Sequence, residues 1–485
     1  MHTYIGIDLG TSGVKLLLVD AAGNILAQQT RTYPVSYPQS GWSEQDPEAW
    51  FSAVMDGLAA LNAENVAGIS FGGQMHGLVA LDKEGNVIRP CILWNDGRTE
   101  KETKYLNETI GRETLARETG NIAFAGFTAP KLLWMKENEP QNFARIAHIL
   151  LPKDYLAYRM TGKFVTDYSD ASGTLLLDVR NRRWSRKMCS ICGVSEDILP
   201  QLHESYEAIG TLKEEIAHKL GYGQVTVCAG AGDNAAAAVG MGVIGEGGCN
   251  VSLGTSGTLF LSGKSFAEDK RNALHSFCHA DGGYHLMGCI LSAASCNAWW
   301  SENILHTSDY AHEQAGLEEK TGKNGVYFLP YLMGERSPHN DVNARGAFVG
   351  MRADTTRGEM TLAVLEGVAF ALRDCLEAAR ACGVTASVTN ICGGGAKSPL
   401  WRRIVANVLN MDVRVPETEQ GPSFGAAILA MVGCGEYATV KAATDCIVRV
   451  RETISPDRAV AEAYEKKYLV YKSLYPALKG IFPEM

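Results

Sequence analysis

"IDLGTSGVK" occupies residues 7–15, and its centre, LGTSG, stands again unchanged at 253–257 within VSLGTSGTLF. Each copy lies between β-rich runs, YIGIDL and VKLLLVD around the first, GCNVS and TLFLS around the second. Glycine and serine favour turns and the flanks favour strands, so each copy predicts a strand–turn–strand hairpin. One copy alone is an ordinary hairpin turn. Two identical copies, each near the head of one half of the chain, predict two similarly built α/β domains whose loops face each other. Glycine leaves backbone N–H groups uncovered and able to converge on an anion, so the pair predicts a grip on one polyphosphate. The boundary is expected in the Gly-rich GMGVIGEGG, dividing residues 1–245 from 246–485.

The length of 485 residues is too great for one ordinary core and agrees with two large domains. With 46% hydrophobic and 20% charged residues, the chain can bury sizeable cores and stay soluble. A net charge of −9 argues against a broad nucleic-acid or acidic-membrane surface. No uncharged apolar run reaches membrane-spanning length. The start, MHTYIGIDLG, lacks a basic leader and reads as no signal peptide. Thirteen cysteines, an odd number in apolar contexts, suit a reduced cytoplasm better than a disulfide framework. Cys189 and Cys192 form a CxxC without the second pair a zinc ribbon needs, so they read as structural thiols. The tail, 456–485, predicts an amphipathic helix, with Tyr464, Tyr468, Tyr471 and Tyr475 as a core-facing stripe.

Other glycine clusters need weighing. GMGVIG at 240–245 has the letters of a dinucleotide fingerprint but follows a helical DNAAAAV rather than a strand. GGGAKS at 393–398 is no P-loop, because Ala396 stands where glycine is required. Its glycines still permit close approach by a flat ring, and Lys397 and Ser398 are candidates for a helix cap or a phosphate contact. Asp8 ends an apolar strand, where a carboxylate is unfavourable unless exposed or paired with a cation such as nucleotide-borne Mg²⁺. Ser252 precedes the second loop instead. Asp233, in CAGAGDNAAAAVG, reads two ways: an N-cap acid favourable by about 1 kcal/mol, or a general base aimed into a cleft.

With these residues in view, the chain resembles the FGGY carbohydrate kinases over nearly its full length. One family signature fits GFTAPKLLWMKEN (126–138) and a second fits GAFVGMRADTTRGEMTLAVLE (346–366). The resemblance implies the α/β fold shared by actin, hexokinase and the heat-shock chaperones, ribonuclease H-like in each of two domains, with an ATP cleft between them. It implies phosphate contacts from Gly10, Thr11, Ser12, Gly254, Thr255 and Gly257, and an adenosine border at Gly394, Gly395 and Ala396. Asp8 would position Mg²⁺, and Asp233 takes the place of the catalytic base. The GQMHG segment resembles the family's xylulose-phosphorylating members, which implies sugar contacts from Gln74, Met75 and His76 with Asp233 and Asn234. Alone, His76 reads as a packed loop histidine. LWNDGR (93–98) is a second sugar clue, in which Trp94 reads either as a sugar contact or as core and Asp96 and Arg98 either as sugar contacts or as a structural ion pair, while Glu335 and Arg336 read as loop supports. Phe71 and Phe424 depart from the family pattern and are expected to reshape a pocket.

The expected reaction is ATP-dependent phosphorylation of D-xylulose at its 5-hydroxyl in the cytoplasm, with neither nucleic acid nor membrane as partner. A homodimer is a common assembly of the family. The rival within the class is a kinase for ribulose, fuculose or another polyol. Outside it stand a nucleotide-dependent binding protein of the actin or chaperone type, and a sugar-sensing regulator. The GQMHG segment and both signatures argue against the former, and retention of Asp8 and Asp233 argues against the latter.

Overall fold

The structure, a computed structural model, describes residues 2–485. Both hairpins form around the repeat. β1 (Thr3–Leu9) and β2 (Gly13–Asp20) pair antiparallel, β3 (Ile25–Thr32) adds to β2, and β4 (Val66–Gly73) joins β1 in parallel. β5 (Thr226–Cys228) follows parallel to β4, which makes the order β3-β2-β1-β4-β5. The second half repeats this arrangement. β6 (Cys249–Leu253) and β7 (Gly257–Gly263) form its hairpin, and β8 (Tyr284–Ile290) extends it antiparallel. β9 (Val388–Cys392) and β10 (Asp412–Pro416) continue in parallel on the other side, giving β8-β7-β6-β9-β10. The five-letter repeat is therefore the visible part of a repeated sheet.

Strand periodicity decides what each face of β1 touches. Ile5, Ile7 and Leu9 join a core with Trp50, Val54 and Leu58 of α1 (Pro47–Ala60). Tyr4 points the other way, into a core shared with two helices, α2 (Asp233–Gly240) and a helix from the second half.

In the second half, α3 (Arg357–Ala381) and α4 (Pro399–Leu409) pack in the core that surrounds β6 and β7. α5 (Pro422–Gly433) does not stay there; it crosses back beneath β1 and β4. Glycine makes this approach possible. A Cβ on Gly6 would lie 1.8 Å from Ser423 O, and one on Gly425 would lie 1.7 Å from Ala236 O. α2 and α5 thus cross backbone to backbone at the junction of the two halves.

Phe424 lies on α5 and is 2% exposed in this shared core, while Phe71 on β4 is fully buried beside α1. The expectation that they reshape a pocket fails, because alternation and helix phase turn both rings inward. Burying each contributes about 1.5–3 kcal/mol. The tail forms α6 (Arg458–Leu478), with its four tyrosines buried against α3. Their hydroxyls are also used: Tyr464 donates to Glu366 at 2.8 Å, Tyr468 to Asp374 at 2.6 Å and Tyr475 to Asp341 at 2.8 Å.

Among the described residues, the cysteines carry free thiols and no helix is long and apolar enough to cross a membrane. Burial pushes the Cys189 and Cys192 thiols up to about 11 and about 12, so both stay protonated at neutral pH.

Candidate active site

The candidate residues collect where the parallel strands end. In open α/β sheets the loops beyond the carboxyl ends of the strands form the crevice that takes ligands. Asp8 on β1 is in register with Gly72 on β4, and Ala231–Gly232 pair with Gly72–Gly73 from the other side. Asp8 and Asp233 therefore flank one glycine pair. Gly232 occupies the cap position of α2 and makes no side-chain cap. The N-cap reading of Asp233 is thereby corrected: Asp233 stands one residue inside the helix. Its Oδ1 accepts from the Asn234 backbone N–H at 2.7 Å and from the Asn234 amide at 3.0 Å.

Burial pushes the Asp233 carboxyl up to about 6, against the pull of the Asn234 hydrogen bonds. Burial and the nearby Asp233 charge push Asp8 up to about 7, with Lys15 opposing. Lys15 is in register with Asp8 across the hairpin and hydrogen-bonds Gln420 of the second half. Two acids and one lysine at one cleft leave an excess of negative charge that a cation relieves. Among the described residues, no group of three or more ligating side chains could hold a metal ion. A lone Asp8 beside the first Gly-rich loop instead fits Mg²⁺ that arrives with a nucleotide and keeps its water.

The first loop is braced from several sides. Gly10 N–H donates to Gly13 O at 3.0 Å, and the Tyr33 hydroxyl donates to Gly10 O at 2.6 Å. Thr11 donates to Gln74 Oε1 at 3.2 Å and accepts from the Trp94 indole at 3.0 Å. The Gln74 amide donates to Gln45 Oε1 at 3.0 Å, and the Gln45 amide donates to Thr11 O at 2.7 Å. With 2% exposure, Gln74 supports the loop and does not offer its amide to open space. Trp94 is 48% exposed, so its reading as a core residue is corrected; the register of the loop turns its ring outward, where the indole props Thr11. Ser12 is exposed.

The second loop is tied down by the segment after β8. Gly254 O accepts from Ala294 N–H at 2.8 Å, and Thr255 O accepts from Ala293 N–H at 2.9 Å and the Ser295 hydroxyl at 2.7 Å. Thr255 and Ser256 are exposed, whereas Gly257 packs against Ile290. The GGGAKS segment lies beside this loop. Gly393 takes φ +90°, and a Cβ there would meet Leu253 O at 2.7 Å. Gly394 alone faces open space, with nothing within 4 Å of a built Cβ, while Gly395 and Ala396 are buried. Ser398 caps α4, accepting from Trp401 N–H at 3.0 Å, which leaves Lys397 exposed. A cavity of about 410 Å³ adjoins Ala396 and Lys397, with Arg402, Glu417, Glu419 and Arg451 as its other walls. Gly394 is the exposed position of this segment, and the cavity beside it is walled mostly by charged side chains.

In the GQMHG segment, His76 adopts φ +70°. Its carbonyl accepts from Lys131 Nζ at 2.8 Å and Thr128 Oγ1 at 3.0 Å. Its Nδ1 lies 2.7 Å from Gly173 O, which fixes the proton there and leaves Nε2 an acceptor. The ring stacks on Phe127 at 4.6 Å, and burial, with Lys131 nearby, pushes the imidazole down to about 3, so it is neutral. Met75 lies against the Asp233 element: a Cβ on Gly232 would stand 3.0 Å from its sulfur. Met75, His76, Asp233 and Asn234 thus form one neighbourhood.

Asp96 and Arg98 form a buried pair at 2.7 Å, joined by Glu44, with the guanidinium 3.7 Å from the Trp42 ring centroid. Glu335 holds its loop by accepting from Leu291 and Arg336 N–H groups. Arg336 serves the same loop through its backbone, donating to Glu335 and accepting from Asn340 N–H. Its guanidinium lies over Phe124 at 4.9 Å, and its charge helps to lower His76 and His275.

Sequence reasoning missed Lys15 and Lys131. Lys15 was accessible from hairpin symmetry, since a turn closed by Leu9 and Val14 must oppose Asp8 to residue 15. Lys131 lies within the first signature, but nothing in its spacing reveals that its ammonium reaches the carbonyls of Gly126 and His76.

Comparisons with known proteins place the chain in a family. Residues 3–240 match the N-terminal domain, and residues 249–434 the C-terminal domain, of the FGGY family of carbohydrate kinases. The chain is 41% identical to the xylulose kinase of Escherichia coli (strain K12), over 98% of this chain and 99% of that one. It is 37% identical to the xylulose kinase of Bacillus subtilis (strain 168), over 99% and 98%. A solved structure of a xyloylose kinase from Brucella ovis superposes with a TM-score of 0.93 at 42% identity, covering 99% of this chain and all of that one.

Proposed function

The chain belongs to the FGGY family of carbohydrate kinases, and from that membership we propose that it transfers the γ-phosphoryl group of ATP to the 5-hydroxyl of D-xylulose. The observation that carries the mechanism is the adjacency of Asp233 to both Met75–His76 and Asp8. A carboxyl pushed up to about 6 is ionised at neutral pH yet basic enough to take a hydroxyl proton. Asp233 accepts that proton as the sugar oxygen attacks in line, a contribution of roughly 10²–10⁴-fold. His76 accepts a sugar hydroxyl at Nε2, Asn234 adds a hydrogen bond, and Met75 supplies an apolar wall.

The remainder is positioning, as expected for phosphoryl transfer. Gly10, Thr11 and Ser12 on one side, and Gly254 and Thr255 on the other, hold the phosphates, and Gly394 and Ala396 border the adenosine; the expected contacts from Gly257 and Gly395 are dropped, because both are packed inside their own half. Mg²⁺ supplies charge neutralisation there when bound, with Asp8 as its protein partner. The bodies built on the two sheets act as lobes that close on both substrates and exclude water, with the division at residues 245/246 amended because α5 belongs with the first sheet. We place the reaction in the cytoplasm, consistent with the free thiols, and infer a homodimer by analogy with the family.

A coupled ADP-release assay with D-xylulose, ribulose, fuculose and glycerol tests the reading. D-xylulose is expected to give the highest kcat/KM, and a clear preference for another acceptor overturns the sugar assignment. Asp233→Asn is expected to abolish transfer while ATP binding persists; near-normal turnover in that variant removes the base.

A further inference from the structure

Beneath the start of α2 lies a buried charged cluster that the phosphoryl-transfer chemistry leaves without a role. Lys153 Nζ lies 2.6 Å from Asp154, 2.9 Å from Asp167 and 3.7 Å from Asp170, and none of the four side chains is more than 1% exposed. Burial takes back most of what such ion groups gain by attraction, so stability alone is a weak reason for them. One lysine cannot balance three carboxylates. Neither oxygen of Asp170 has a hydrogen-bond partner, and burial with the nearby acids Asp154, Asp167 and Asp233 raises it well above the usual range, against Lys153.

The other two acids face different ways. Asp154 turns back to its own helix and accepts from Leu151 N–H at 3.0 Å. Asp167 Oδ2 accepts from the Ser205 hydroxyl at 2.7 Å, from Ser169 N–H at 2.8 Å and from the Ser169 hydroxyl. Helix capping explains the bonds from the Ser169 and Asp170 N–H groups. It does not explain the next link. Ser169 Oγ accepts from the N–H of Gly232 at 3.1 Å, across 63 residues of sequence, and Gly232 immediately precedes Asp233.

We propose that Ser169, oriented by the Lys153–Asp167 pair, is a positioning residue for phosphoryl transfer, its hydroxyl pinning the Gly232 peptide and so fixing where the Asp233 carboxylate stands. Donation of the Ser169 O–H to Asp167 directs an oxygen lone pair at Gly232, and Lys153 holds Asp167 in turn. The inference rests on the reading of Asp233 as the base.

The test compares Ser169→Ala with Ser205→Ala. Each removes one hydroxyl donor from Asp167 Oδ2, but only Ser169 reaches Gly232. Thermal midpoints of both variants are expected to fall, that of Ser169→Ala further because it also strands the Gly232 N–H. With the best sugar of the acceptor panel, Ser169→Ala is expected to lose about 10–100-fold in kcat, with KM for ATP and sugar within about twofold. Ser205→Ala should keep kcat within about twofold. Wild-type turnover in Ser169→Ala, or an equal loss in Ser205→Ala, overturns the proposal. Asp233→Asn is assayed alongside: if it still turns over, the base reading has failed, whereas if it is inactive and Ser169→Ala is not impaired, the positioning inference alone has failed. Should Ser169→Ala not fold, Asp167→Asn against Asp154→Asn gives the same contrast, because only Asp167 receives Ser169.

Discussion

Replacing Asp8 by Asn should stabilise the protein above neutral pH while crippling catalysis. The Asp8 carboxyl is pushed from 3.8 up to about 7, first by burial and then by Asp233, with Lys15 opposing. A raised carboxyl is unfavourable to the folded state wherever the unfolded chain has ionised. Below pH 4 both states are protonated and Asp8 contributes nothing. Between pH 4 and 7 the unfolded state alone ionises, so stability drains away, and above pH 7 the deficit is constant. About three units correspond to about 4 kcal/mol. The carboxyl keeps part of its surface open to the cleft, so screening reduces this to about 2 kcal/mol. An amide of the same shape escapes the deficit. Thermal melts of Asp8→Asn and the parent protein, without nucleotide, should coincide near pH 4 and diverge through pH 7. The variant should melt roughly 4 °C higher at pH 8. Turnover with Mg²⁺ and ATP should meanwhile fall at least ~10-fold. A variant less stable than the parent at pH 8, or a gain of equal size at pH 4, would refute the electrostatic argument.

The acid limb of kcat/KM should rise between about pH 5 and 8, because Asp233 at about 6 and Asp8 at about 7 must ionise; a profile flat down to pH 5 contradicts it. Converting His76 to Ala should raise the sugar KM about tenfold, the worth of one hydrogen bond, while leaving the ATP KM within about twofold. Gly425→Ala places a methyl 1.7 Å from Ala236 O and should cost about 1–3 kcal/mol by forcing α2 and α5 apart, visible as a lower urea midpoint. Tyr464→Phe removes a donor from the buried Glu366 and should cost about 1–3 kcal/mol, with kcat unchanged because that contact lies on the α3–α6 face.

Local features of the chain were sufficient for much of this protein. The LGTSG repeat reported the paired hairpins, because turn chemistry and strand preference act over a few residues. The tyrosine stripe of the tail reported its buried face for the same reason, through helical period. The two family signatures and the GQMHG segment pointed to the carbohydrate kinases, since that information is carried in short runs. Tertiary structure decided the rest. Gln74 lies in the sugar motif yet turns to brace the first loop, and Trp94, apolar by letter, stands at the surface. α5 follows the second sheet in sequence but packs beneath the first, through glycine contacts visible only once two backbones meet. The Lys153 cluster draws its members from residues 153–170 and ties them to Gly232, with no periodicity to announce it. Charge balance in a buried site depends on distance through space, and sequence records only distance along the chain.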